Sequence, residues 1–156
     1  MENEKFKLAV GKCPTGVTVV STSWDSKLWG FTANSFASVS LTPPVISFCL
    51  NKESGSFGAF LKTKYFAVNI LASDQVEISK HFANNGFNKF KNIHYRIGYF
   101  SKSPLISGTV CTIECKKYNK FECGDHFIFV GEVVKTKINE KKLPLLYFAR
   151  SYPEFK

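Results

Sequence analysis

The apolar residues of this chain arrive in short β-branched or aromatic runs, each closed by turn chemistry, and that spacing constrains the fold more than any other feature. Residues 17–22 read VTVVST, the turn Trp24-Asp25-Ser26-Lys27 follows, and Leu28-Trp29-Gly30-Phe31 resumes, which predicts a hairpin. Thr42-Pro43-Pro44 interrupts any ladder, and residues 45–50 form a continuous apolar run that predicts a strand buried on both faces. Residues 65–71 predict another strand. Residues 108–116 and 126–136 predict a second hairpin around Cys123-Gly124-Asp125. Two short helices are expected: one capped by Ser54 or Ser56 with Phe57, Phe60 and Leu61 on one face, and one over residues 75–82 capped by Ser73-Asp74. Residues 84–103 read as a long excursion that covers a ligand, and the apolar tail 143–148 is expected to close the sheet or meet a partner. Many short strands and few helices predict an all-β or β-dominated barrel with a few short peripheral helices, in one domain spanning residues 1–156.

Composition narrows the function classes. Sixteen phenylalanines, scattered among Val, Ile and Thr, favour a β-rich interior. The formal charge of +9 raises nucleic acid as a partner. The lysines are dispersed, however, with no helix-turn-helix, RNP-like or zinc-finger pattern, so the expectation is a solvated basic surface that favours a small phosphate-bearing ligand. No run approaches the roughly 18 residues of a membrane span, and the first residues lack a secretory core, which predicts a cytoplasmic protein with no membrane partner. Cys13, Cys49, Cys111, Cys115 and Cys123 are odd in number and lack CxxC spacing, so reduced structural thiols are expected. His81, His94 and His126 show no metal-ligand spacing, and no metal site is expected. Neither a GxSxG elbow nor a GxGxxG turn is present.

Three polar segments remain unexplained by packing. Residues 32–40, TANSFASVS, are small and hydroxyl-rich between apolar strands; residues 51–56, NKESGS, are cap-like; and Gly124-Asp125-His126 forms a corner. Taken in order with Pro14-Thr15-Gly16-Val17, Gly30-Phe31-Thr32-Ala33-Asn34-Ser35-Phe36, Ser38-Val39-Ser40-Leu41, Phe66-Ala67-Val68-Asn69-Ile70-Leu71, His81-Phe82-Ala83, Pro104-Leu105-Ile106-Ser107-Gly108 and Pro144-Leu145-Leu146-Tyr147-Phe148, they resemble the flavin reductase-like family nearly end to end.

That resemblance implies a split β-barrel of Greek-key type, a homodimer, and hydride transfer from NADH or NADPH to a flavin, with FMN as the preferred flavin and FAD as the alternative, and with a monooxygenase component as a partner for the reduced flavin. It implies that Thr32, Ala33, Asn34, Ser35 and Ser38 lie along the isoalloxazine edge, where small side chains let backbone groups approach the ring. Asn51, Lys52, Ser54 and Ser56 are implied for the ribityl chain and phosphate, with free helix-terminal N–H groups helping to hold the anion. Phe82, Ala83 and Lys89 follow near the phosphate; Lys89 stands where relatives carry Arg, keeping the charge without the bidentate fork. His126 is implied as the residue that positions the nicotinamide, and Arg150 and Tyr152 either border that site or serve the structure. The alternatives from other classes are a noncatalytic FMN-binding protein of the same fold and a basic interaction module whose pocket has lost its ligand.

Overall fold

Successive side chains of a strand point to opposite faces, and the β-branched strands Thr18–Trp24 and Tyr65–Ile70 are buried along most of their length, so both faces of the sheet are covered at its centre. The computed structural model describes residues 3–155. In chain order its elements are α1 (Asn3–Val10), β1 (Thr15–Gly16), β2 (Thr18–Trp24), β3 (Lys27–Ala33), β4 (Ala37–Leu41), β5 (Pro44–Asn51), α2 (Phe57–Lys62), β6 (Tyr65–Ile70) and α3 (Val76–Ala83). They continue with β7 (Tyr95–Ile97), β8 (Pro104–Ile106), β9 (Cys111–Cys123), β10 (His126–Ile138) and β11 (Leu146–Tyr147).

Seven strands form one antiparallel sheet in the order β3-β2-β6-β9-β10-β5-β4. After β5 the chain passes through α2 and returns beside β2, a Greek-key step. The barrel does not close by hydrogen bonds: the edge strands β3 and β4 are unpaired with each other and are joined only by residues 34–36. Ser35 pins that junction, its Oγ accepting from the Cys49 N–H at 2.9 Å. The tail does not close the main sheet either. β11 pairs with β1, and Pro144 bridges Ala72.

Two apolar clusters lie on opposite sides of β2. Val20 faces an interior filled by Phe31, Phe48, Phe66 and Phe129, with Phe60 of α2 as its plug. Phe48 stacks on Phe129 at 5.3 Å and meets Phe66 edge-on at 5.1 Å, the geometries that aromatic quadrupoles favour. Gly131 is required here, because a Cβ at that position would fall on the Phe66 ring. Val19, on the other side, faces Leu71, Phe82, Phe90, Ile106 and Leu145, so α3, β8 and the tail cover the outer face. Asn69, wholly buried, ties β8 down: its Nδ2 donates to the Val19 carbonyl at 3.0 Å, and its Oδ1 accepts from the Ile106 N–H at 2.8 Å.

Local expectations are corrected in four places. The helix expected over residues 75–82, α3, starts one residue later, with Gln75 rather than Ser73-Asp74 at its N-cap position; Gln75 makes no side-chain cap bond to the helix, its Oε1 accepting the Ala72 N–H at 2.9 Å instead. Ser56 occupies the N-cap of α2 without capping it; its hydroxyl turns inward and donates to the Gly30 carbonyl at 3.2 Å. Residues 32–40 are mostly strand, with only Asn34, Ser35 and Phe36 outside β3 and β4. The second hairpin runs seven residues further than the expected Lys116, so β9 reaches Cys123, and Gly124 takes the left-handed φ of 59° that its tight turn with Asp125 needs.

Candidate functional site

On β3 and β5 the residues that alternate with the core phenylalanines point away from it. Thr32 alternates with Phe31, and Cys49 and Asn51 alternate with Phe48 and Leu50. At the split these outward residues border a cleft of about 410 Å3, a size typical of small-molecule sites. Thr32, Ala33, Asn34 and Ser35 form one wall, Asn51 and Ser54 a second, Phe82, Ala83 and Lys89 a third, and His126 stands on β10 beside the second. Among the remaining residues expected from the sequence, Ser38 lies outside the cleft, exposed on the edge strand β4 opposite Ile46. Lys52 lies outside it too, paired with Glu122 and over the Phe127 ring. Ser56, buried against Gly30, is the third exception.

The segment 51–56 is folded on its own polar groups. Asn51 Oδ1 accepts the Glu53 N–H at 2.8 Å, the Asn51 carbonyl accepts the Ser54 N–H at 3.1 Å, Ser54 Oγ accepts the Ser56 N–H at 3.3 Å, and the Ser54 carbonyl accepts the Phe57 N–H at 2.9 Å. The N–H groups of Glu53, Ser54, Ser56 and Phe57 are thereby engaged within the segment and the start of α2. The Lys52 N–H donates to the Asp125 carbonyl at 3.0 Å and so ties this segment to the His126 turn.

Lys89 supplies the positive charge instead. Its Nζ donates to the carbonyls of Gly30 at 3.2 Å and Phe82 at 3.1 Å, and burial lowers its pKa. No carboxylate pairs with it among the described residues. A half-buried ammonium held only by neutral carbonyls keeps a net positive charge facing the cleft. His81 fixes the backbone there: a carbonyl only accepts, so His81 Nε2 carries the proton given to the Lys89 carbonyl at 2.7 Å.

His126 is half-exposed, opposite Asn51 in the β10–β5 ladder. Its Nδ1 lies 2.7 Å from Asp125 Oδ1, and the hydrogen bond and charge of His126 hold the Asp125 carboxyl below its ordinary pKa. A carboxylate only accepts, so Nδ1 is the donor to Asp125, and Nε2 is the ring nitrogen left outside that pair. Arg150 and Tyr152 do not line the cleft. Arg150 pairs with Glu4 of α1 at 3.0 Å, and Tyr152 meets the Ser79 hydroxyl at 2.9 Å. Ser79 in turn accepts the Thr32 hydroxyl at its carbonyl, 2.6 Å away, so Tyr152 supports the cleft wall from behind.

Sequence reasoning missed Phe31, Cys49, Leu50, Glu53 and Asn85, which also line the cleft. The alternation of β5 was a usable signal for Cys49, because it shares the face of Asn51. No sequence pattern distinguished Asn85 from its neighbours.

The domain family described as "Flavin reductase like domain" matches residues 10–156. The chain belongs to the flavin reductase-like family. A flavin reductase of Pseudomonas putida is 34% identical over 151 residues, 96% of this chain and 88% of that protein. The reductase subunit of a flavin-dependent monooxygenase from Rhodococcus jostii is 31% identical over 152 residues, 97% of this chain and 77% of that protein. Among solved structures of the flavin reductase-like fold, the NADH:FAD oxidoreductase of Streptomyces globisporus in complex with NAD and FAD fragments superposes with a TM-score of 0.96 at 33% identity, covering 99% of this chain and 93% of that one.

The cleft fits a flavin nucleotide on its own chemistry. Small side chains at Ala33, Asn34 and Ser35 leave backbone exposed to a planar, polar ring, and Lys89 offers a cation without a carboxylate partner to a phosphate.

Proposed function

We propose that this protein is an NAD(P)H:flavin oxidoreductase that binds a flavin nucleotide in the cleft at the barrel split and passes its reducing equivalents to a partner monooxygenase. The observation that carries the reading is the meeting, in one cleft, of a small-residue wall at 32–35 with the uncompensated ammonium of Lys89. The relatives' names support the chemistry: one is a flavin reductase, one a monooxygenase reductase subunit and one an NADH:FAD oxidoreductase.

When bound, the flavin supplies the hydride-accepting ring, so no protein acid or base is needed for the transfer. The protein's part is position and charge. Thr32, Ala33, Asn34 and Ser35 hold the ring edge, with Ser35 itself held by the Cys49 N–H. Lys89 and Ser54 face the phosphate end, and Asn51 the chain between. His126 presents Nε2 toward the nicotinamide, with Asp125 holding its Nδ1.

The exposed apolar residues Val39 and Leu41 on the free edge strand β4, with Leu41 89% exposed, support a homodimer through that edge. Sedimentation at micromolar concentration should give twice the mass of one chain.

The decisive experiment is an anaerobic titration of protein plus FMN or FAD with NADH and with NADPH, following the loss of flavin absorbance. Bleaching at catalytic protein concentration is expected with at least one pair; saturable flavin binding without bleaching would leave only a flavin carrier. Replacing His126 by Ala should raise the KM for the pyridine nucleotide several-fold while leaving the flavin Kd within twofold. An equal loss in both would move His126 to the flavin itself.

A further inference from the structure

A cavity of about 290 Å3 opens where β8 and the turn after it meet the ends of β9 and β10, and it shares no lining residue with the flavin cleft. Two cations border it, Arg96 of β7 and Lys137 of β10, and no carboxylate does. Neither cation makes an ion pair among the described residues. Glu114, on the same face of β9 as Thr112, is buried close by in sequence, but its Oε2 accepts the N–H groups of Phe100 at 3.0 Å and Ser101 at 2.8 Å and the Ser101 hydroxyl at 2.9 Å. It takes its compensation from that turn and leaves the two cations unpaired.

The buried part of the lining is polar. Thr112 alternates in β9 with Cys111 and Ile113, which pack on the phenylalanine interior, so its side chain belongs to the opposite face and lines the cavity. It is only 9% exposed, yet its hydroxyl has no hydrogen-bond partner among the described residues. Thr109, buried to the same degree, spends its hydroxyl on the Ile106 carbonyl at 3.2 Å. A buried hydroxyl without a partner is an exception that calls for an acceptor or donor from outside the chain. Gly108, at a left-handed φ of 77°, and Thr109 add two consecutive N–H groups that also find no acceptor among the described residues. Consecutive N–H groups at such a turn form a concavity that suits an anion.

The donors select the guest. An apolar ligand would leave them unmet, and a carboxylate offers two oxygens in one plane, whereas a phosphate offers three strong acceptors around a tetrahedron to donors that arrive from β7, the 107–109 turn, β9 and β10. We infer that the cavity bounded by Arg96, Thr112 and Lys137 is a binding site for the phosphate group of a small molecule. Arg96 and Lys137 supply the charge; the Thr112 hydroxyl and the Gly108 and Thr109 N–H groups supply direction. The volume exceeds that of one phosphate group and leaves room for a second phosphate or a small organic body. The site stands on its own residues and is independent of the reading of the flavin cleft.

Isothermal titration of the full chain in low-salt, phosphate-free buffer with inorganic phosphate, pyrophosphate and glycerol 3-phosphate tests it, in the wild type and in Lys89→Met, Arg96→Gln and Thr112→Val. Saturable binding of at least one probe is expected, and it should survive Lys89→Met, which removes the cation of the flavin cleft. Arg96→Gln and Thr112→Val should each weaken it by about tenfold or more, the scale of one hydrogen bond to a charged group. Arg96 is exposed, so its variant should keep the wild-type denaturation midpoint, and Val keeps the β-branched shape of Thr112. Tighter binding of pyrophosphate would assign the remaining volume to a second phosphate, and tighter binding of glycerol 3-phosphate to an organic body. Three results would overturn the site: no saturable binding of any probe, binding abolished by Lys89→Met, which would put the phosphate in the flavin cleft, or binding weakened by Arg96→Gln but untouched by Thr112→Val, which would reduce the cavity to a diffuse basic surface.

Discussion

The two faces of β3 and β5 are made by the same strands and end as opposites. Inward, Phe31, Phe48 and Leu50 meet Phe60, Phe66 and Phe129 in a packed interior. Outward, Thr32, Cys49 and Asn51 border open space. The inner face is filled by its own side chains and stabilises the fold, with Phe31 and Leu50 also reaching the cleft lining. The outer face near the split is built from small residues and a cation that lacks a carboxylate partner, so it is complete only with something bound. The lesson is that a period of two lets one strand serve stability and binding independently, provided each face is changed alone.

The sharpest way to test that independence is to damage the interior. Phe48→Ala removes the ring that contacts four other phenylalanines, and a loss of about 3–5 kcal/mol is expected from large-to-small truncation in a core. Chemical denaturation should show that drop, while the flavin Kd, measured well below the denaturation midpoint, stays within threefold of wild type. A parallel collapse of affinity would mean that the two faces are one unit.

A smaller effect is expected on the outer face. Lys89→Met keeps the half-buried stem and removes the charge, so FMN affinity should fall by about 1.5–3 kcal/mol, the range for a hydrogen bond to a charged group. Riboflavin, which has no phosphate, should bind as before. If riboflavin affinity falls as far as that of FMN, Lys89 holds the wall rather than the anion.

The smallest effect contrasts Lys89 with Lys117, a second half-buried lysine that donates to carbonyls, those of Phe60 and Leu61 at 2.9 Å each. Burial, and then Lys120, push its pKa down to about 8. Between that value and its ordinary 10.5, the folded chain has released a proton that the unfolded chain keeps, so this group makes stability rise with pH across the window. Below pH 8 both states are protonated and the penalty for burying the charge is fully present. The unfolding free energy of the wild type minus that of Lys117→Met should therefore climb from about pH 8 to 10.5 and be flat from pH 6 to 7.5. A difference flat across the whole range would show that Lys117 keeps its ordinary pKa and that the carbonyls compensate its burial.

Most of the strands were legible because each rests on local terms: β-branched runs, Pro43-Pro44 as a break, and Gly124 at a tight turn. The helix caps were less so. Ser56 and Ser73-Asp74 have capping side chains, yet neither helix is side-chain capped by them: the Gly30 carbonyl drew the Ser56 hydroxyl, and Gln75 took the N-cap position of α3 with its side chain bonded back to the Ala72 N–H. The resemblance to the family named most of the cleft residues in advance, including Asn34, Asn51, Lys89 and His126, which lie far apart in sequence. Ser38, Lys52 and Ser56 lie outside the cleft lining, since adjacency in a motif does not say which way a side chain turns.

The amino-acid order by itself determined the alternation of the strands, the two hairpins and the supply of small polar residues at 32–35, because these depend on near neighbours and on side-chain size. Tertiary structure alone decided that the barrel stays split between β3 and β4, that the N–H groups of Glu53, Ser54 and Ser56 are spent within their own segment, and that Lys89 is left as the cation of the cleft. Those outcomes are settled by which donors and acceptors meet across dozens of residues, and a charge becomes significant only once burial and the absence of a counter-charge are fixed by packing.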